Sequence, residues 1–480
     1  MNIVRKYESM NTPAKAAIWF MLCSILQKGI ALITTPIFTR ILSPEDFGLY
    51  TVYLSWADIV MIFVTLRLEM SVFSKGMSKF RDNRCGYVTS MQMLITITTV
   101  VCLLLYWLFS KTISSFTELP FFIMIMLILR CGVFSAYDFW MLKERYEYKY
   151  VTFVTVVLGL SFLNAVGGIV AVLLFPTRGG EARIISDFVV YFLIGLVLYG
   201  INFKRGWKFA KSEHVKYAIA FNLPLIPHYV ATYILNQMDR IMIQKMVGIM
   251  QAGVYSVAFS AGMMMNIVSA SMINAITPWY YEKLETSKFD DVKARFAPFI
   301  LIVCSFIFFF LLFAPEAMVV LAPSAYMEAV YIIPPIAASI IFSVMYSLFT
   351  IPEFYYDANK FSMIASGAAA IFNLISNFVC INLFGYLSAG FTTLGCHMII
   401  AGGHFLYARH VLRQRNMDFF NVRFVLYVYL GVILTIPVLC VLYDYIVLRY
   451  SLAFILTAGA VLKKDEIIAL FKSVKKIESK

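Results

Sequence analysis

Long apolar stretches alternate along the chain with short polar punctuation. Runs such as 88–109 and 299–314 approach or reach the roughly 20 apolar residues needed to cross a hydrocarbon core. Reading each run against the polar residues that bound it predicts helical spans at 15–38, 47–68, 87–110, 119–142, 151–175, 185–203, 217–244, 252–278, 297–314, 326–350, 361–384, 388–408, 423–443 and 445–462. The last two are the least sharply bounded, because Asp444 and Arg449 crowd their junction. The pattern predicts an all-α polytopic membrane protein with about fourteen transmembrane helices. It leaves no room for a sizeable soluble domain. The first run, 16–38, is too long for the apolar core of a signal peptide and lacks a small-residue cleavage site, so it reads as a retained span.

Composition agrees with this. The 480 residues are 61% hydrophobic and only 14% charged, against about 25% charged in soluble domains. Lys and Arg set the orientation. With the N-terminus inside, clusters such as Lys75, Lys79, Arg81 and Arg84, then Lys204, Arg205, Lys208, Lys211 and Lys216, then Arg409, Arg413 and Arg415, all face the cytoplasm. About 31 of the 40 basic residues fall inside and about 6 outside. Both termini are expected in the cytoplasm of a bacterial cell, in a multi-pass inner-membrane protein. The net charge of +13 is mostly this bias toward anionic lipid. It gives no argument for a nucleic-acid partner. The tail 463–480 places Ile467, Leu470, Phe471, Val474 and Ile477 near one helical face, with Lys472, Lys475 and Lys476 off it, which predicts an interfacial helix. The eight cysteines contain no C-x-x-C pair, and seven of them, all but Cys85, lie in apolar runs, so they read as packing residues.

A second regularity is an internal repeat. Phe47-Gly48-Leu49-Tyr50-Thr51-Val52-Tyr53 resembles Ala252-Gly253-Val254-Tyr255-Ser256-Val257-Ala258. The offset that carries Gly48 onto Gly253 also carries spans three to six onto spans nine to twelve. Two six-helix bundles are expected, 1–205 and 206–410, with 411–480 adding two helices and the basic tail. An even number of spans per half makes the repeat parallel. The expected arrangement is two parallel six-helix bundles around a central cavity, working by alternating access.

The motifs also resemble a known family. Thr39-Arg40-Ile41-Leu42-Ser43-Pro44-Glu45-Asp46-Phe47-Gly48-Leu49-Tyr50 is similar to the start of polysaccharide-unit flippases, as are Asn222-Leu223-Pro224-Leu225-Ile226-Pro227-His228 and Asn236-Gln237-Met238-Asp239-Arg240-Ile241-Met242-Ile243. Together they resemble the O-antigen and polysaccharide repeat-unit flippases of the multidrug/oligosaccharidyl-lipid/polysaccharide exporter superfamily. The resemblance implies translocation of an undecaprenyl-diphosphate-linked oligosaccharide from the cytoplasmic to the periplasmic leaflet, for O-antigen, lipopolysaccharide, capsule or exopolysaccharide assembly. It also implies membrane lipids, and polymerase and chain-length proteins of the same pathway, as partners.

No enzyme signature stands beside this resemblance. The chain has neither a phosphate loop nor an H-E-x-x-H pair. His214, His228, His397, His404 and His410 have no companion Cys or carboxylate at metal-ligand spacing, so no cofactor is expected. The informative residues are charges at membrane depth, each of which costs roughly 2.5–3.5 kcal/mol on insertion scales. Lys28, Arg130, Arg240 and, nearer the interface, Arg67 are candidates to neutralise a diphosphate, because phosphate is held best by Arg and Lys. The plain alternative is structural pairing, for example Lys28 with Asp58. Asp58, Glu69, Asp138 and Asp239 are candidates for coupling to H+ or Na+. Asp58, Ile62, Thr65 and Glu69 would form one stripe on span two, and the repeat offset maps Asp58 to Met263 and Glu69 to Asn274, so such a site would be asymmetric. Pro224 and Pro227 remove two backbone donors and predict a helix break or hinge. Tyr53, Trp56, Tyr229, Tyr233 and Tyr255 are candidates to stack on sugar rings.

Two other readings remain at this stage. A drug exporter of the same superfamily would favour acidic and aromatic lining over three deep basic residues. A polysaccharide polymerase would need a large outer loop, and every expected outer loop is short. The sequence names neither the sugar nor the coupling ion.

Overall fold

A computed structural model describes residues 7, 9–358 and 360–462. The expected tail helix at 463–480 lies outside the described residues. Helices follow one another as α1 (Thr12–Ile41), α2 (Pro44–Thr65), α3 (Ser71–Lys79), α4 (Arg84–Leu108), α5 (Ser110–Thr117), α6 (Phe121–Tyr146), α7 (Tyr150–Leu174), α8 (Gly179–Gly206), α9 (Ser212–Asn222), α10 (Ile226–Met246), α11 (Ile249–Met263), α12 (Met265–Glu285), α13 (Phe289–Leu311), α14 (Ala314–Leu321), α15 (Ile333–Tyr355), α16 (Lys360–Phe384), α17 (Ser388–Arg413), α18 (Val422–Leu442) and α19 (Ile446–Leu462). Among the described residues, 12 helical segments are long and apolar enough to cross a membrane. α17 and α19 take the places of the twelfth and fourteenth expected spans. The protein is an all-α, multi-pass membrane protein.

Local chemistry sets the helix starts. The Asn11 side chain accepts from the Ala14 N–H to begin α1, and Ser43, followed by Pro44 and the acids Glu45 and Asp46, caps α2. Asn83 and Asn421 do the same for α4 and α18. α2 stops at Thr65 because Leu66 and Arg67 both take left-handed backbone angles, φ 50° and 52°. That conformation costs roughly 1–2 kcal/mol per non-glycine residue. Three bonds hold it: the Asn222 amide donates to the Leu66 carbonyl, the Arg67 N–H donates to Thr65 Oγ1, and Thr65 Oγ1 donates to Glu69 Oε2. The predicted stripe on span two is therefore helical only as far as Thr65. Glu69 lies past the helix and is drawn back to Thr65 by the turn.

The chain divides into two compact units. The first holds Met1–Gln244 with Ile249–Gly253, and the second holds the rest. In the first unit α8 packs on α6 and α7, α7 packs on α1, and α2 lies against α6 and α8. α3 is amphipathic. Its Val72, Phe73 and Met77 enter a core with Tyr87, Met91, Phe139 and Ala218. Ala218 belongs to α9, so α9 and then α10 are held by the first unit, and the packing boundary falls later than the expected repeat boundary at 205/206. The start of α11 meets the start of α2 backbone to backbone. A Cβ on Gly48 would lie 2.0 Å from the Ile249 carbonyl oxygen, and one on Gly253 would lie 2.4 Å from the Pro44 carbonyl oxygen. Only glycine permits this approach at either position.

In the second unit α15 packs most extensively on α17, with α16, α12 and α13 around them. The junction of α18 and α19 is pinned rather than crowded. Arg449 is buried and donates to the Leu312 carbonyl at 2.6 Å, just past the end of α13. It also forms a two-pronged pair with Glu316 of α14, which accepts from Tyr450 as well. At the other end of α18, Arg409 and Arg413 grip Asp418 at 2.7 and 2.9 Å. The hydrogen bond from Arg409 above all, with Arg413 behind it, holds the Asp418 carboxyl below the ordinary carboxylate range. α13, α15, α18 and α19 line an apolar groove of about 1030 Å³, with Pro298, Ile302, Ile341, Val432 and Leu456 in its walls. All eight cysteines are free thiols.

Candidate functional site

The first unit carries two polar clusters among apolar helices. One joins α2 to α10. Gln237 Nε2 donates to Asp58 Oδ2 at 2.5 Å, and its carbonyl oxygen accepts from Ser55 at 3.2 Å and from Arg240 at 2.8 Å. The amide thus stands between the acid of α2 and the guanidinium of α10. Just beyond the end of α2, Arg67 pairs with Glu69 at 3.1 Å. It also donates to the Tyr233 hydroxyl and stacks over that ring at 4.6 Å. Arg67 therefore does not simply extend toward an interface. It is buried at the left-handed turn and ties that turn to α10. Asp239 is buried on α10.

The chain breaks where Pro224 and Pro227 stand. α9 ends at Asn222, a single 3-10 turn covers Leu223–Leu225, and α10 begins at Ile226. Neither proline can supply the N–H that a continuous helix would need. The break leaves Asn222 buried and aims its amide at the Leu66 carbonyl, while Tyr229 donates to its oxygen. The two motif segments that carry the family resemblance, at Asn222 and at Gln237, are thus the segments that grip α2.

The second cluster joins α6, α7, α8 and α2. Arg130 Nε lies 2.7 Å from Asp187 Oδ2, and its guanidinium covers the Tyr191 ring at 4.4 Å. Asp187 Oδ1 accepts from Tyr50 and Asn164. Arg183 donates to Asn164 Oδ1 at 3.0 Å and to the Tyr50 hydroxyl at 2.8 Å, and stacks between Phe38 and Tyr50. The charge of Arg130 is thus met within the protein by a carboxylate that is 1% exposed.

The remaining candidates are placed differently. Lys28 is exposed on α1 and forms no ion pair with Asp58 or with any other described residue. Asp58 is held by Gln237 instead. Asp138 has a buried oxygen, Oδ2, without a hydrogen-bond partner, and its nearest charged influences are Glu69, Arg67 and Arg130. Among the aromatic candidates, Tyr53, Trp56 and Tyr255 are buried and present no open face to a sugar. Tyr233 is engaged by Arg67 and Tyr229 by Asn222.

Reading the sequence missed Asp187, Arg183, Asn164 and Gln237. Arg183 and Asp187 are four apart at the head of one helix, a spacing that places them on one face. That was a usable signal. Gln237 gave none, since a lone amide in a polar motif marks no chemistry. In the second unit it missed Glu353 and His404, which meet in the core with His404 Nδ1 2.9 Å from both carboxylate oxygens. Among the described residues, no group of three or more His, Cys, Asp or Glu side chains gathers as a metal site would require.

Comparison with known proteins places this architecture. Lipid II flippase MurJ, in an inward closed conformation, superposes with a TM-score of 0.66 at 11% identity, over 94% of this chain and 100% of that one. An inward-facing multidrug resistance transporter of the MATE family, in the MOP superfamily, gives 0.60 at 13% identity, over 84% of this chain and 99% of the other. At these identities the likeness shows the fold: that of lipid-linked flippases and multidrug transporters. A protein of the Lsg locus of Haemophilus influenzae is 21% identical over 279 residues, covering 57% of this chain and 67% of that protein. The family described as polysaccharide biosynthesis protein matches residues 14–282, more than half of the chain and all of both polar clusters. The chain is a member of that polysaccharide biosynthesis family, built on the fold of the MOP transporters.

Proposed function

We propose that this protein is a flippase for undecaprenyl-diphosphate-linked oligosaccharide units, moving them from the cytoplasmic to the periplasmic leaflet of a bacterial inner membrane for O-antigen, capsule or exopolysaccharide assembly. Both termini lie in the cytoplasm in this reading, as the Lys and Arg bias requires. The observation that carries it is Lys28. An exposed ammonium without an ion pair among the described residues stands near the middle of an apolar helix of 30 residues. Such a charge is costly against lipid and is compensated by water or by an anion. A diphosphate supplies that anion. Arg240 and Arg67 add cationic donors on α10 and beside α2, and Arg130 adds a third that Asp187 holds in place. Asn236, exposed on α10, offers an amide of the kind that sugars bind. The apolar groove of the second unit suits a hydrocarbon chain such as the isoprenoid tail. Polymerase and chain-length proteins would act on the delivered unit.

The test is movement of a fluorescent lipid-linked oligosaccharide in proteoliposomes, read by the access of an external glycosidase to the sugar. The expected result is protein-dependent movement that Lys28→Ala abolishes. Liposomes in which the glycolipid stays in its leaflet while a cationic dye is exported would overturn the reading in favour of drug transport.

A further inference from the structure

Helix α10 carries polar side chains in rows at four-residue spacing, which sets each row along one face. Tyr229, Tyr233 and Gln237 form one row. Each of them reaches another element of the first unit: Tyr229 meets Asn222, Tyr233 meets Arg67, and Gln237 meets Asp58 and Ser55. His228, Thr232 and Asn236 form a neighbouring row, and Arg240 continues it by one step. Here the hydrogen bonds run back along the helix itself. Thr232 Oγ1 donates to the His228 carbonyl at 2.9 Å, Asn236 Nδ2 to the Thr232 carbonyl at 2.7 Å, and Arg240 to the Asn236 carbonyl at 3.2 Å. Among the described residues, no hydrogen bond links the side chain of His228, Thr232 or Asn236 to another helix.

Hydrogen-bonding capacity is therefore left over on this row. Asn236 is exposed, and His228 and Thr232 are half-buried. The Asn236 amide keeps its oxygen and one N–H, the Thr232 hydroxyl keeps its acceptor sites, and His228 keeps both ring nitrogens. Hydrocarbon would leave these groups unmet at a cost for each, so water or a polar ligand meets them. There is also space. Among the described residues, α10 makes no extensive close backbone contact with another helix of the first unit, and long side chains carry its attachment there. The chemistry of the row selects the ligand. A ring, a hydroxyl and an amide exchange hydrogen bonds with hydroxyl groups and need no charge to do so. The row rises about 6 Å per step and runs about 12 Å from His228 to Asn236, longer than one pyranose ring. The guanidinium of Arg240 stands at its end. A chain of sugar hydroxyls joined to an anion matches that order. An anionic phospholipid would use the cation and leave the row unmet.

We propose that His228, Thr232 and Asn236 form a sugar-recognition row, along which the oligosaccharide of the substrate lies with its diphosphate toward Arg240. This rests on the reading of the chain as a glycolipid transporter and assigns the residues that tell a glycosylated lipid from a bare one. Sugar hydroxyls replace water on the free valences of the three side chains. The other row keeps α10 tied to α2 meanwhile, so the recognising face and the anchoring face of one helix are separate.

The experiment measures binding to the full-length protein in detergent micelles with two fluorescent probes that share one tail. The first is undecaprenyl-diphosphate-linked oligosaccharide taken from the cells that make it, and the second is undecaprenyl diphosphate without sugar. Wild-type protein is expected to bind the glycosylated probe more tightly. His228→Leu, Thr232→Val and Asn236→Leu each remove one hydrogen-bonding group. Each is expected to weaken binding of the glycosylated probe about threefold to tenfold and to leave the bare diphosphate unchanged. Thr232→Ser and Asn236→Gln keep the chemical group and are expected to retain part of the preference. Thr232→Val exchanges a hydroxyl for a methyl and reports on the row even where a larger change unfolds the helix. Equal affinity of wild-type protein for the two probes, equal weakening of both by the variants, or no weakening at all overturns the proposal. If the variants bind and move the glycolipid in proteoliposomes as the wild type does, the row falls and the flippase reading stands. If wild-type protein binds the glycosylated probe through the row yet never moves it across the membrane, the row stands and the flippase reading falls.

Discussion

Replacing Asp187 by leucine tests what Arg130 is for. The two side chains are 14% and 1% exposed and meet at 2.7 Å. Two charges about 4 Å apart attract by roughly 4 kcal/mol at an effective dielectric near 20. Removing one partner of a buried pair strands the other charge and costs about 3–5 kcal/mol. Spread over a unit of this size, that is a midpoint lowered by roughly 6–10 °C. Asp187→Leu and Arg130→Met should each show it. Combining them removes both charges and should recover most of the loss, though not all, because Arg183 keeps Tyr50 and Asn164 but loses the nearby anion. The assay is thermal unfolding of purified protein in detergent, beside membrane abundance and glycolipid movement. A double variant that is stable and active makes Arg130 a structural residue. One that is stable and inactive leaves Arg130 in contact with substrate. If Asp187→Leu alone unfolds with the wild type, or if the double variant is no better than the singles, the account of the cluster is wrong.

Lys28→Ala should leave abundance and melting unchanged, since Lys28 has no ion pair to lose among the described residues, and should abolish movement of glycolipid. Lys28→Arg should keep part of the activity because the charge survives with altered donor geometry. Full activity of Lys28→Ala at normal abundance would remove the residue from the site. Gly48→Ala and Gly253→Ala should each cost about 1–3 kcal/mol by overpacking, seen as lower melting temperatures, because neither carbonyl opposite them belongs to a side chain that can rotate away. Unchanged melting would show that the crossing yields freely. Asp418→Asn should cost less than about 1 kcal/mol at neutral pH, since the group is partly exposed. The Asp418 carboxyl is depressed in the folded state, so its contribution is complete above the ordinary carboxylate value and fades as pH falls below about 4. Melting curves of variant and wild type should therefore converge in acid, and a gap that widened there would contradict the Arg409 contact.

The helical architecture was legible because each span must be apolar along its whole length, a signal that repeats along the chain and needs no partner to be read. Partnerships were not legible in the same way. Arg130 was visible as a deep charge, but its neutralisation by Asp187 depends on how α6 packs on α8. Lys28 and Asp58 looked like a pair by depth alone, yet Gln237 on α10 holds the acid. The end of α2 was placed late because apolar Leu66 and Leu68 continue the hydropathy through a backbone that has already turned. His404 was dismissed for want of a nearby carboxylate, and its carboxylate lies 51 residues earlier in the chain. The packing boundary falls past 205 because α9, although it lies beyond the expected repeat boundary, buries Ala218 against α3 and α4.

The glycine crossing has a consequence for how such a chain can change. Gly48 meets the carbonyl of Ile249 and Gly253 meets that of Pro44, and the repeat offset carries each of these residues onto its counterpart. On the repeat reading of the sequence, this local contact is isologous: each side of it presents the same residues to the other, as identical subunits do across a dimer axis. In a dimer of separate copies, every substitution appears on both sides at once, and a charge placed in one copy is placed in both. Joining the copies into one chain lifts that restriction. The repeat offset read from the sequence sets Asp58 against Met263 and Glu69 against Asn274, while it sets the two glycines against each other. On that reading, one half can acquire charged side chains without burdening the other, and the paired glycines mark where the two halves still have to agree.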